Sequence, residues 1–69
     1  MTTISATTLA EVLAACPYGP PGETPRQIHA TVGCWSAVTV RLALGQLVRA
    51  GRVAYDGPDS GRRYWRVEA

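Results

Sequence analysis

The sequence contains no lysine, one histidine and two cysteines among its 69 residues, and it has no long apolar run. No segment approaches the roughly 20 apolar residues of a membrane-spanning helix, so no membrane span is expected. The first five residues are mostly polar and lack the basic-then-apolar pattern of a secretion signal. We therefore expect a cytoplasmic protein.

The two cysteines, Cys16 and Cys34, are too few and too far apart for a zinc site, even with His29 to help. No bound metal is expected. Cys16 ends an apolar helical stripe and is interpreted as a small core residue. A disulfide between the two stays open as an alternative, although a reducing cytosol disfavours it.

The chain also lacks the patterns that catalysis requires. It has no glycine-rich phosphate loop, and no serine or threonine has a histidine base at a suggestive spacing. His29 has no carboxylate or second ligand near it in sequence, so we expect it to be hydrogen-bonded or solvent-facing. A chain this short is a single domain without an enzyme activity or a cofactor.

What the sequence does contain is arginine, placed unevenly. All seven basic residues are arginines at or after position 26, whereas the first 25 residues carry only Glu11 and Glu23. Positive charge concentrated in one part of a chain is what a polyanion-binding surface requires. A GC-rich genome produces the same preference for arginine over lysine, and that interpretation stays open.

Capping signals predict the first two helices. After a leader of residues 1–7, in which Ile4 packs onto the domain, Thr8 is the predicted N-cap of a helix ending at Cys16. Residues 17–23 are a loop rich in proline and glycine. A capping box formed by Thr24 and Gln27 then begins a short second helix, which ends at Gly33.

Residues 36–50 are predicted to form the longest helix, with Ser36 as N-cap and Gly51 as the stop signal. Its core-facing residues recur at helical spacing, namely Val40, Leu44, Leu47 and Val48.

A β-hairpin is expected after this helix, with its tip at residues 57–61. Val53 and Tyr55 share one face of the first strand. In the second strand we predict that Trp65 and Val67 close the core, which leaves Arg62, Tyr64 and Arg66 on the other face.

The long helix and the start of the hairpin resemble the third helix of bacterial winged helix-turn-helix repressors, especially the GntR family. The matching residues are Ser36, Thr39, Val40, Arg41, Ala43, Leu44, Leu47, Val48, Gly51 and Val53. The resemblance implies an α+β fold with three helices and a two-stranded β-hairpin wing. It also implies that the third helix enters the major groove of double-stranded DNA and that Ser36, Thr39 and Arg41 contact it.

Three departures accompany this resemblance. Ala37 stands where the family often has an arginine that reads guanine, Trp35 lengthens the turn before the helix, and no effector-binding domain follows. Adding the outward helix face and the wing arginines gives the candidate DNA-binding residues: Trp35, Ser36, Ala37, Val38, Thr39, Arg41, Leu42, Gln46, Arg49, Arg62 and Arg63.

The outward face of the long helix admits three interpretations. Val38 and Leu42 either meet thymine methyl groups or form a protein-binding patch beside Trp35. In the third interpretation the helical phase differs and Leu42 is partly buried. The preferred hypothesis is a small bacterial or phage DNA-binding regulator or architectural protein that needs a homodimer or a partner protein for useful affinity. The main alternative is a winged helix used as an adaptor or subunit in protein contact. A third hypothesis, in which Tyr64 stacks on an unpaired base, is weaker than ordinary strand packing.

Overall fold

A computed structural model of the chain describes residues 4–33, 35–58 and 61–67. Three helices are followed by an antiparallel hairpin, so the predicted α+β architecture with a two-stranded wing is confirmed. The elements, in chain order, are α1 (Ala6–Ala15), α2 (Pro25–Val32), α3 (Ala37–Arg49), β1 (Val53–Asp56) and β2 (Arg63–Arg66).

Helix α1 begins earlier than the sequence predicted. Its N-cap is Ser5, whose side chain accepts a hydrogen bond from the backbone N–H of Thr8, so the assignment of Thr8 as N-cap was wrong. Thr8 lies in the first turn and is buried, with its hydroxyl 2.9 Å from that of Ser5. Ile4 and Leu9 occupy the positions of a hydrophobic staple; Ile4 belongs to the core cluster, and Leu9 is partly buried against it. Residues 1–3 of the predicted leader lie outside the described residues.

The caps of α2 and α3 are confirmed. Thr24 and Gln27 form the reciprocal capping box, with Pro25 at the first helical position. The Ser36 side chain accepts from the backbone N–H of Thr39 at 3.1 Å and begins α3. Gly51 follows α3 with φ of 76°, a left-handed conformation that glycine adopts without steric cost.

One face of α3 forms the centre of the core. Val40, Leu44 and Leu47 are buried as predicted, and Ala43, which lies between them, is fully buried as well. Helices α1 and α2 cover this face, since both pack against α3. The largest fully buried side chains come from all three helices and the end of α1: Ile28, Leu44, Val12, Val40 and Cys16.

The hairpin presents the opposite face of β2 to the core from the one predicted. Tyr55 pairs with Tyr64 across the strands, and Val53 pairs with Arg66, so Tyr64 shares a face with the buried Val53. Tyr64 packs against the core, whereas Val67 is 47% exposed. The prediction that Trp65 and Val67 close the core was therefore wrong.

The loop of residues 17–23 explains where Trp65 lies instead. Its backbone bonds to β2 on the edge away from β1: the Tyr64 N–H donates to the Glu23 carbonyl at 2.8 Å, and the Arg66 N–H donates to the Pro17 carbonyl at 2.7 Å. Gly22 approaches the Trp65 ring closely enough that a Cβ there would lie 2.9 Å from it. Trp65 is thus half-buried under the loop and not within the helical core.

In the described part of the chain, no single helix is long and apolar enough to cross a membrane. Helices α2 and α3 reach that length and composition only when taken together, as a pair bent by 112°.

Candidate nucleic-acid interface

The outward face of α3 is apolar and exposed. Val38 is 67% exposed and Leu42, one helical turn later, is 42% exposed. The helical phase is the predicted one, since Val40, Leu44 and Leu47 are buried, and Leu42 lies on the exposed face, although it is less exposed than Val38. Ala37 and Arg41 are also exposed, so the first half of α3 presents both small apolar groups and one cation.

The two hydroxyl groups at the start of α3 are engaged in capping. The Ser36 hydroxyl donates to the Thr39 hydroxyl at 2.9 Å while it accepts from the Thr39 backbone N–H. These bonds fix the end of the helix at which the amide groups point outward and attract an anion.

Three arginines from three different elements line one cleft beside this face. Arg26 comes from the first turn of α2, Arg41 from α3, and Arg62 from the residue before β2. The cleft has a volume of about 540 Å³, and its remaining lining residues are Thr24, Pro25, Gly61 and Tyr64. None of the described residues that line it carries a carboxylate, so the cleft is cationic. We call it the arginine cleft.

A smaller cavity continues the arginine cleft toward the tip of α3. It measures about 220 Å³ and shares Arg26 and Arg41 with the arginine cleft, and Ala37 and His29 complete its wall together with Pro25. Two adjoining cavities that share Arg26 and Arg41 therefore lie between the start of α3 and the wing.

Local interactions hold Arg62 in the wing. Its guanidinium carbon lies 4.4 Å from the centroid of the Tyr55 ring, within the range of a cation–π contact. Tyr55 in turn packs against Tyr64, with ring centroids 5.7 Å apart. The half-buried Tyr64 thereby connects the wing arginine to the core.

Arg63 lies on the other side of the hairpin. Its guanidinium donates to the Gly22 carbonyl at 3.2 Å, and it lines a separate cavity with Trp65, Pro20 and Pro21. The two wing arginines that the sequence offered as candidates therefore lie on opposite sides of the hairpin, as consecutive residues of an extended segment do.

The remaining candidate residues lie apart from the arginine cleft. The Trp35 indole N–H donates to a carboxylate oxygen of Glu11 at 3.1 Å, and Trp35 packs partly against the core. Gln46 lines a groove on the α1 side, together with Leu9 and Leu13. Arg49 is exposed in the last turn of α3.

Two residues of the candidate site were missed at the sequence level. Arg26 follows the Thr24–Pro25 cap directly and therefore lies in the first turn of α2. Because α2 packs against α3, this position in the sequence is the signal that could have identified Arg26. Tyr55 was considered only as a strand residue, because its contact with Arg62 depends on the hairpin register.

The titratable side chains offer little for catalysis. His29 Nε2 donates to the Trp35 carbonyl at 2.6 Å, so its role is to bind the turn before α3.

Burial raises the pKa of the Cys16 thiol to about 11, against a weaker opposite effect of Arg66 and with a small further increase from Glu23. Cys16 is a free buried thiol, as expected of a core residue. Cys34 lies outside the described residues. Among residues 4–33, 35–58 and 61–67, no three His, Cys, Asp or Glu side chains are placed to hold a metal ion.

Comparisons of the chain with protein-family models, with curated proteins and with solved structures find no match. The resemblance to winged-helix repressors therefore rests on the residues of α3 and on the order of the elements.

Proposed function

We propose that the protein is a small DNA-binding regulator or architectural factor of bacterial or phage type, without catalytic activity, and similar to GntR-type repressors in its third helix. Helix α3 enters the major groove, and the wing lies along the neighbouring backbone. Phosphate contacts position the protein, and the outward face of α3 meets the bases.

The observation that carries this proposal is the arginine cleft. Arg26, Arg41 and Arg62 arrive from separate elements, so the fold gathers three cations that the sequence keeps apart. A guanidinium group forms two parallel hydrogen bonds to a phosphate, so three guanidinium groups in one cleft suit a polyanion. Duplex DNA supplies a row of phosphates beside the groove that α3 would occupy.

The salt dependence of binding follows from the number of these cations. Three arginines that each neutralise one phosphate give a slope of log K against log salt of about −3. One module of this size forms a small interface, so we expect a homodimer or a partner protein to supply the rest of the affinity.

The decisive experiment compares two neighbouring arginines. Arg62→Ala and Arg63→Ala remove the same charge from adjacent residues, but only Arg62 lines the arginine cleft. Fluorescence anisotropy with a labelled duplex at two salt concentrations measures affinity and slope for each variant. We expect Arg62→Ala to reduce the slope by about one unit and to weaken binding by roughly 3- to 10-fold at low salt, with a much smaller effect of Arg63→Ala.

Thermal unfolding followed by circular dichroism checks that both variants fold. Absence of duplex binding by the wild-type protein at low salt would exclude the proposal. An equal loss for the two arginine variants would show that only total charge matters and that the arginine cleft has no special role.

A second candidate function is protein contact through α3, as an adaptor or complex subunit. Its support is the exposure of Val38 and Leu42, since adjacent exposed apolar side chains are typical of interface centres. Binding of a protein partner by this patch would be abolished by Val38→Asp and would be nearly insensitive to Arg62→Ala, which is the reverse of the pattern for a phosphate-dominated complex.

A further inference from the structure

We propose that α3 distinguishes base pairs by the methyl group at position 5 of a pyrimidine, so that the preferred ligand is duplex DNA carrying such methyl groups in the major groove. Thymine and 5-methylcytosine both present this group. The inference rests on the proposed DNA-binding function and adds the chemical feature that α3 recognises.

The polar side chains of α3 make other contacts or lie away from Val38 and Leu42. The Thr39 hydroxyl accepts from that of Ser36, and Arg41 lines the arginine cleft. Gln46 lines the groove on the α1 side. Arg49 lies eleven residues after Val38, which places it about 16 Å farther along the helix axis.

The outward stripe that remains consists of aliphatic groups. Val38 and Leu42 are the large exposed hydrophobic residues of α3, and Ala37 precedes them at the first helical position. None of these side chains donates or accepts a hydrogen bond. They are unable to read the donor and acceptor pattern of a guanine or an adenine, but they fit the apolar methyl group that thymine projects into the major groove.

The spacing of the stripe also fits a duplex. Val38 and Leu42 are separated by about 6 Å along the helix axis, and base pairs are stacked about 3.4 Å apart, so the two side chains span roughly two base-pair steps. The arginine cleft adjoins the same end of α3 and is complementary in charge to the DNA backbone. Charge next to the apolar stripe favours a duplex over an uncharged protein partner as its occupant.

The test removes the methyl group and nothing else. Anisotropy compares a thymine-rich duplex with the same duplex in which every thymine is replaced by deoxyuridine. The wild-type protein should bind the deoxyuridine duplex roughly fourfold more weakly for each methyl group that it contacts, hence roughly 15-fold for two. A GC-rich duplex with cytosine or with 5-methylcytosine forms the second arm, and the methylated form should bind more tightly.

A matched variant assigns the preference to α3. Val38→Ala with Leu42→Ala shortens both exposed side chains and keeps good helix formers, so folding should be preserved, as a thermal melt will check. This double variant should bind the thymine and deoxyuridine duplexes with equal affinity and should keep the wild-type salt slope. Arg62→Ala should weaken binding to both duplexes by the same factor.

The possible results separate this inference from the function on which it rests. Equal wild-type affinity for the two duplexes overturns methyl recognition but leaves DNA binding intact. A thymine preference that persists in the double variant also overturns it, since the preference then arises from DNA shape. Failure to bind either duplex at low salt overturns the proposed function itself, and with it this inference. A thymine preference without any response to 5-methylcytosine identifies thymine as the ligand.

Discussion

Single side chains decide where the cations of the wing lie. Arg62 and Arg63 are neighbours in the chain, yet Arg62 stacks on Tyr55 and Arg63 bonds to the Gly22 carbonyl. An arginine side chain loses conformational entropy when it binds a phosphate. A ring that already restricts the side chain in the free protein makes this loss on binding smaller. Tyr55 is therefore a positioning residue for Arg62.

We expect Tyr55→Leu to weaken duplex binding by about two- to fivefold, the range of an exposed cation–π contact. Tyr55→Phe keeps the ring and should bind like the wild type. In a double-mutant cycle, Tyr55→Leu should have no further effect once Arg62 is replaced by alanine. Additive losses in that cycle would contradict a positioning role. We expect the replacements of Tyr55 to change the folding stability little, because this side chain is 46% exposed.

A second residue-scale effect concerns Cys16 and pH. Burial raises the pKa of its thiol to about 11 from an ordinary value of 9.0, so the folded state favours the protonated form. The resulting contribution to stability is fully present below pH 9 and is lost as the pH rises toward 11. Urea unfolding between these pH values should show the decrease, and Cys16→Ala should abolish the part due to the thiol. An identical pH profile in that variant would contradict the assignment.

At the scale of elements, the loop of residues 17–23 acts as a third partner of the sheet. It bonds to β2 at Tyr64 and Arg66, opposite the edge that β1 occupies. Gly22 has φ of 76° and lies against the Tyr64 backbone and the Trp65 ring, where a Cβ would lie only 2.6 Å from the Tyr64 carbonyl oxygen. The close approach of loop and strand therefore requires glycine.

Gly22→Ala should reduce the free energy of unfolding by at least about 1–2 kcal/mol, because both the left-handed backbone and the close contact disfavour a side chain. Gly45→Ala is the matched control. Gly45 lies within α3, and a Cβ there would meet no atom within 4 Å, so this change should stabilise the protein by about 1 kcal/mol. Chemical denaturation measures both, and a neutral Gly22→Ala would contradict the proposed close packing.

Elements defined by local chemistry were predictable, and elements defined by distant partners were not. The Ser36 and Thr24 caps follow from residues within one helical turn, which the sequence displays directly. The N-cap of α1 was misplaced because Ser5 and Thr8 are both hydroxyl residues, and only the burial of Thr8 distinguishes them.

The hairpin shows the limit of periodicity. Trp65 and Tyr64 are both large aromatic residues, so alternation alone does not reveal which of them faces the helices. The choice depends on the loop of residues 17–23, which covers Trp65 from more than forty positions earlier in the chain. The meeting of Arg26 with Arg41 and Arg62 in one cleft was not predictable for the same reason, since it depends on contacts between distant elements. The exposure of Val38 and Leu42, in contrast, followed correctly from the helical period.

At the scale of the whole molecule, strand β2 is bound to the end of α1. Arg66 donates to the Cys16 carbonyl at 3.1 Å and stacks on Tyr18, so β2 is attached to the end of α1 by its side chains as well as its backbone. The base of the wing consequently belongs to the same cooperative unit as the helices, whereas Gly57 and Pro58, just after β1, are exposed.

Hydrogen exchange should reveal this division. The amides of Tyr64 and Arg66 bond to carbonyls of the loop and should exchange only through global unfolding. The amide of Gly57, which bonds to the adjacent Asp56 side chain at 2.8 Å, should exchange much faster through local opening. Equal rates at these three amides, measured by NMR, would show instead that the hairpin opens as a whole.

The hydrogen bond from Trp35 to Glu11 gives the molecule a built-in optical signal. The indole stands one residue before the cap of α3 and is connected to α1, so any tilt of α3 that accompanies docking changes the polarity around that ring. Replacement of Trp65 by phenylalanine leaves Trp35 as the sole tryptophan emitter. The emission wavelength of Trp35 then reports, without an added label, whether α3 tilts relative to α1 when the protein binds its ligand. An unchanged wavelength indicates binding as a rigid body.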